Sequence, residues 1–168
     1  DWYLAANLSN SDNLEGHLLS GLEPAGVPSG LEGSAVPFNY NDFDSIKNIV
    51  SNSDVGVIMM EVSRNMEPKD NFLQNIRELA TDNGIVLIFD EIITGFGRLG
   101  EWFGSDLVKV TPDIMSVAKG MTSGYFPLGA SIASSQVSRL FNGGKEESFK
   151  HMFTYSGHPG GSAAALKN

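Results

Sequence analysis

Phe43, Ile46, Ile49 and Val50 recur at the spacing of one helix face, with Asn41 or Asp42 placed to cap the start. Residues 55 to 60, VGVIMM, form an apolar run of strand length that ends at Glu61. After Pro68-Lys69-Asp70, the residues Phe72, Leu73, Ile76, Leu79 and Ala80 share one side of a second helix. Gly84 is the left-handed residue expected just past its end. Residues 85 to 89 follow at once and are apolar at every position, as in a parallel strand covered on both faces. Strand, helix and strand make a βαβ unit. The fold class predicted is α/β, a mainly parallel sheet flanked by helices.

Downstream, residues 101 to 108 read as a short helix, 113 to 118 and 128 to 133 as strands, and 136 to 141 as a helix broken by Asn142-Gly143-Gly144. HPGGSAAALK reads as a last helix with its N-terminus near Pro159, where a missing N–H does no harm. Residues 1 to 40 mix glycines and prolines with little periodicity, which predicts turns and loops.

Composition narrows the function classes. The 168 residues are 41% hydrophobic and 18% charged, which suits a folded core. Eleven basic against 20 acidic residues give a formal charge of −9, so a phosphate backbone is repelled and nucleic acid is not an expected partner. No apolar run reaches the roughly 20 residues that cross a bilayer, and Asp1-Trp2-Tyr3 opens no secretory signal. A cytoplasmic protein without a membrane partner is expected. The absence of cysteine excludes disulfides, thiolate metal sites and a cysteine nucleophile. His17, His151 and His158 show no metal-ligand spacing, so no metal is expected.

Residues 85 to 104, IVLIFDEIITGFGRLGEWFG, carry three competing chemistries. A magnesium-nucleotide site would use the strand-terminal Asp-Glu, yet no GxxxxGK[ST] loop exists to cradle a triphosphate. An NAD-dependent oxidoreductase would use GFGRLG as its pyrophosphate turn. That turn should begin at the strand end, whereas Asp90 to Thr94, with two carboxylates, intervene before Gly95. The third starts from Asp90 and Lys119, which close successive strand candidates. In an open parallel sheet those ends border the ligand crevice. An amine and a carboxylate there suit pyridoxal phosphate, whose aldehyde condenses with lysine and whose ring nitrogen needs an acid beside it.

DEIITGFGRLGEWFGSDLVKVTPDIMSVAKGMTSGYFPLGASIAS closely resembles the core of the class III aminotransferases, in the fold-type I group of pyridoxal phosphate enzymes, and FTYSGHPGGSAAAL resembles their next motif. The resemblance implies amino-group transfer between an amine or amino acid and a keto acid or aldehyde through a lysine aldimine. Lys119, in VAKG, is then the catalytic and cofactor-bonding lysine, and Asp90 the partner of the pyridine nitrogen. It further implies that Ile92 packs on a ring face and that Thr154 reaches the cofactor phosphate of a neighbouring subunit, giving a homodimer with shared active sites. GFGRLG becomes a structural turn with a buried Arg98.

Upstream, DWYLAANL, GLEPAGVP, PFNYND and MEVSRN resemble the glutamate-1-semialdehyde aminomutase-like members of the class, which move an amino group within one molecule. Glu61-Val62 stands where much of the family has Glu-Pro, and Asn65 falls near a cofactor-proximal asparagine of the aminomutases. Measured against the family, residues 1 to 168 correspond to the central part of the large, cofactor-binding domain. The N-terminal part and the C-terminal small domain are expected outside it, and the segment alone is expected to be inactive. A noncatalytic interaction module on the same fold is the competing expectation from another class.

Overall fold

The computed structural model of the protein describes residues 29–31 and 33–168. The turns and loops expected over residues 1 to 40, together with His17 and the first two upstream motifs, lie largely outside the described residues. The chain divides into two compact units, residues 1–53 and 54–168.

In the first unit, a 3-10 turn at Ser29–Leu31 precedes helix α1, Phe43–Asn52. Of the two candidate caps, Asp42 is the one used: its Oδ1 accepts the Ser45 N–H at 3.0 Å. Ile46 is the buried residue of this helix.

The second unit holds β1 (Val57–Glu61), α2 (Phe72–Asp82), β2 (Val86–Asp90), α3 (Gly104–Val108), β3 (Ile114–Val117), β4 (Ala130–Ala133), α4 (Ser135–Ser138) and α5 (Pro159–Lys167). The strands form one sheet in the order β1-β2-β3-β4. β1, β2 and β3 run parallel, while β4 is antiparallel to β3. The α/β class and the mainly parallel sheet agree with the sequence pattern. The turn of β4 follows from its connection, since a parallel return needs a long crossover, usually a helix. Between β3 and β4 there is only a 3-10 turn, Lys119–Thr122, and a loop.

Alternation along the strands separates two faces. Ile58 pairs with Leu87 and Met60 with Phe89, and all four are buried, as is Val117. α2 brings Phe72, Leu73, Ile76 and Ala80, also buried, to this core. Right-handed crossovers taken in one direction along a sheet lay their helices on one face. The other face carries Val57, Met59, Val86 and Ile88. Val57 and Met59 are 52% and 55% exposed, and Val86 and Ile88 are half-buried. The expectation of β2 covered on both faces is therefore corrected: among the described residues one face is sealed and the other, equally apolar, is open.

Two side-chain clamps hold α2 on the sheet. Arg77 Nη1 meets Asp113 Oδ2 at 2.8 Å, and the same oxygen accepts the Leu87 N–H at 2.8 Å. Gln74 Nε2 donates to the Val108 carbonyl at 2.7 Å, which satisfies an acceptor near the end of α3. Gly84, at φ 67°, ends α2 as expected, and the chain enters β2 within two residues. Among the described residues no helix is long and apolar enough to cross a membrane.

Candidate active site

Because β1, β2 and β3 are parallel, their C-terminal ends lie along one edge of the sheet. Asp90 is the last residue of β2, in register with Glu61 of β1 and Ser116 of β3. Its Oδ1 accepts the Ile92 N–H at 3.0 Å, which curls the chain outward as an Asx turn. Oδ2 accepts no bond from a described residue.

β3 ends at Val117, and Lys119 opens the 3-10 turn that follows. Lys119 has φ 42°, the left-handed region that costs an L-residue about 1–2 kcal/mol. Its side chain is exposed and makes no hydrogen bond or ion pair with a described residue. A free amine held on a strained backbone is a common mark of a functional position.

Lys119 lines an open cavity of about 960 Å³, shared with Phe96, Arg98, Glu101 and Trp102. It also lines a neighbouring one of about 560 Å³, which adds Ile93 and Gly95. Phe96 is a second bulky residue in the left-handed region, at φ 59°. Its ring meets that of Phe103 edge-on at 5.4 Å, and this packing holds the turn against the start of α3.

The structure brings three of the four expected site residues, Asp90, Ile92 and Lys119, to the same edge of the sheet. Ile92 is half-buried just past Asp90, and neither of them lines the two cavities. Thr154 stands on an exposed turn, residues 154–157, and lines neither cavity. Asn65 is exposed. Arg98 corrects an expectation: it is exposed and faces the larger cavity. Gly97 and Gly100, at φ 87° and 96°, turn the chain so that the segment between them leans into open space. Among the described residues no cluster of three or more His, Asp or Glu is placed to hold a metal ion.

Sequence reasoning passed over Glu91. It is fully buried, and its carboxylate accepts bonds from Thr94 Oγ1, from Gly104 N at 2.8 Å and from Ser105 N at 2.7 Å. The only local signal was an acid set inside an apolar stretch with a threonine three residues on.

A mainly parallel α/β sheet that offers a free lysine and a carboxylate from adjacent strand ends defines a site for an aldehyde cofactor with a basic ring nitrogen. Residues 45–168 match the family model described as Aminotransferase class-III. The chain belongs to the class III aminotransferase family. It is 48% identical over 101 residues to the putrescine–pyruvate aminotransferase of Pseudomonas aeruginosa, a match that covers 60% of this chain and 22% of that protein. It is 46% identical over 103 residues to the omega-amino acid–pyruvate aminotransferase of Pseudomonas putida, covering 59% and 23%. Among solved structures, a transaminase from the marine bacterium Virgibacillus superposes with a TM-score of 0.70 at 35% identity, over 77% of this chain and 31% of that one. An amine transaminase from an uncultivated Pseudomonas species, solved in its PLP-bound internal aldimine form, superposes with a TM-score of 0.67 at 36% identity, over 72% and 29%. The matched stretch thus spans about a fifth of the length of the curated relatives.

Proposed function

We propose that the protein is a pyridoxal 5'-phosphate-dependent aminotransferase that moves an amino group from an amine or amino acid to a keto acid or aldehyde. The observation that carries this is that an unpartnered Lys119 amine and the free Oδ2 of Asp90 stand at the C-terminal ends of adjacent parallel strands. The donor set fits the cofactor, one group for the carbonyl carbon and one for the ring nitrogen. When bound, pyridoxal phosphate supplies an electrophilic carbon for amines and a cationic ring that draws electrons from the substrate.

Lys119 would hold the cofactor through its Nζ. With the cofactor bound, its Nζ would also serve as the general base that takes and returns the proton at the substrate carbon. Asp90 would keep the ring nitrogen protonated, and Ile92 would cover one ring face. Thr154 would bind the cofactor phosphate in a neighbouring subunit of a homodimer, a reading supported by its exposure and by its absence from the lining of both cavities. Residues 1–168 form the central part of the large domain, and the protein works in the cytoplasm.

Transfer between two molecules is favoured over an intramolecular shift because the relatives named above pair an amine or amino acid with pyruvate. The test is borohydride reduction of the product of the complete coding sequence after loading with pyridoxal phosphate, followed by peptide mapping. The pyridoxyl label should fall on Lys119 and vanish in Lys119→Ala. A label on another lysine, or none, would refute the assignment.

A further inference from the structure

We propose that Glu91 is a positioning residue that fixes Asp90 and Lys119 relative to each other, a role that rests on the cofactor assignment above. Glu91 uses every polar group it has. Its N–H donates to the Ser116 carbonyl on β3 at 2.8 Å, and its carbonyl accepts the Gly95 N–H at 2.9 Å. The carboxylate accepts the Thr94 hydroxyl and the Gly104 and Ser105 amides at the start of α3. One fully buried residue therefore ties the end of β2, the strand that leads into Lys119, and the turn over the cavity.

The packing around it leaves no slack. A Cβ on Gly95 would lie 2.8 Å from the Glu91 carbonyl oxygen, and a Cβ on Gly104 would lie 3.0 Å from Glu91 Oε2 and 3.1 Å from Val62 Cγ1. On the lysine side, a Cβ on Gly120 would lie 3.0 Å from Phe96 Cβ and 3.4 Å from the Gly95 carbonyl oxygen. The contact path runs from Asp90 to Glu91, through Gly95 and Phe96, to the residue after Lys119. The bond to β3 belongs to the main chain whatever side chain stands at 91; what the carboxylate adds is the link from that strand end to Thr94 and to the start of α3.

Glu91→Gln keeps the shape and places an NH2 where the backbone amides need an acceptor. Thr94→Val removes one donor and leaves the carboxylate, and Thr94→Ser restores the hydroxyl. Asp113→Asn is the comparator, because it loosens a clamp at the opposite end of β3. In the product of the complete coding sequence, each variant is titrated with pyridoxal phosphate, and the melting temperature of the cofactor-free form is taken alongside. Glu91→Gln and Thr94→Val should weaken cofactor binding by about tenfold or more and shift the bound-cofactor absorption, because a misplaced pair loses its geometry. Thr94→Ser should bind like wild type, and Asp113→Asn should bind normally despite its lower melting temperature. If Glu91→Gln fails to fold, Thr94→Val against Thr94→Ser decides the matter.

Equal affinity in wild type and both variants would overturn the role of Glu91 and leave the cofactor assignment standing. So would a loss that tracks melting temperature alike in Asp113→Asn. A wild type that binds no pyridoxal phosphate would overturn the cofactor assignment itself, and this role with it.

Discussion

Phe96 and Lys119 both hold a left-handed backbone, at φ 59° and 42°, and line the same two cavities. Two large L-residues in that conformation side by side are unusual, and each costs about 1–2 kcal/mol against the ordinary helical or extended state. Lys109, at φ 55°, shares the conformation as the C-cap of α3, where it only ends a helix; at Phe96 and Lys119 it falls on the rim where an amine stands free of partners, the kind of place where a fold tolerates local cost for chemistry.

The strain at Lys119 is measurable apart from its chemistry. Glycine accepts a positive φ and alanine does not. Lys119→Gly should therefore be more stable than Lys119→Ala by about 1 kcal/mol in denaturant unfolding of the cofactor-free protein, with both inactive. Equal stability of the two would mean that Lys119 is not strained.

Asp113 is half of a partly buried ion pair and also accepts a backbone amide of β2. Asp113→Asn keeps the size but weakens two charge-assisted bonds. Unfolding stability should fall by about 1–3 kcal/mol, with no change in denaturant slope. Arg77→Met should cost less, since it spares the bond to Leu87. The ordering of the two variants checks the shared-oxygen geometry.

Asp90 touches the cofactor through a single free oxygen in the proposed site. Asp90→Asn cannot hold the ring nitrogen protonated, so turnover should fall about a hundredfold or more while the protein stays folded. The drop should appear in kcat, with lysine labelling by borohydride retained. Unchanged kcat would remove Asp90 from the chemistry.

The isolated 168-residue chain leaves Val57 and Met59 on the open sheet face, with Met152, Phe153 and Tyr155 exposed near Thr154. Large exposed apolar areas signal surfaces made to be covered. The segment alone should bind pyridoxal phosphate weakly, show negligible transamination and bind a hydrophobic dye. Robust turnover by the segment would contradict the view that its partners in the fold and in a second subunit complete the site.

Local pattern decided a good deal here. The cap at Asp42, the left-handed Gly84 and the spacing of Phe72, Leu73, Ile76 and Ala80 are readable because each depends on residues within a turn or two. The strand ends near Asp90 and Lys119 were legible for the same reason, and the α/β order put both at one edge of the sheet. What no window of sequence contained was anything decided by distant partners. β4 turns antiparallel because of how the chain returns, and one face of β2 stays open because of what does or does not lie over it. Arg98 faces outward because two glycines swing the turn. Glu91 looked like the lesser half of an Asp-Glu pair until folding brought the amides of Gly104 and Ser105 to its carboxylate. A side chain's type and its neighbours along the chain are local properties, whereas which groups bury it and bond to it is a property of three-dimensional packing, and only the fold settles that.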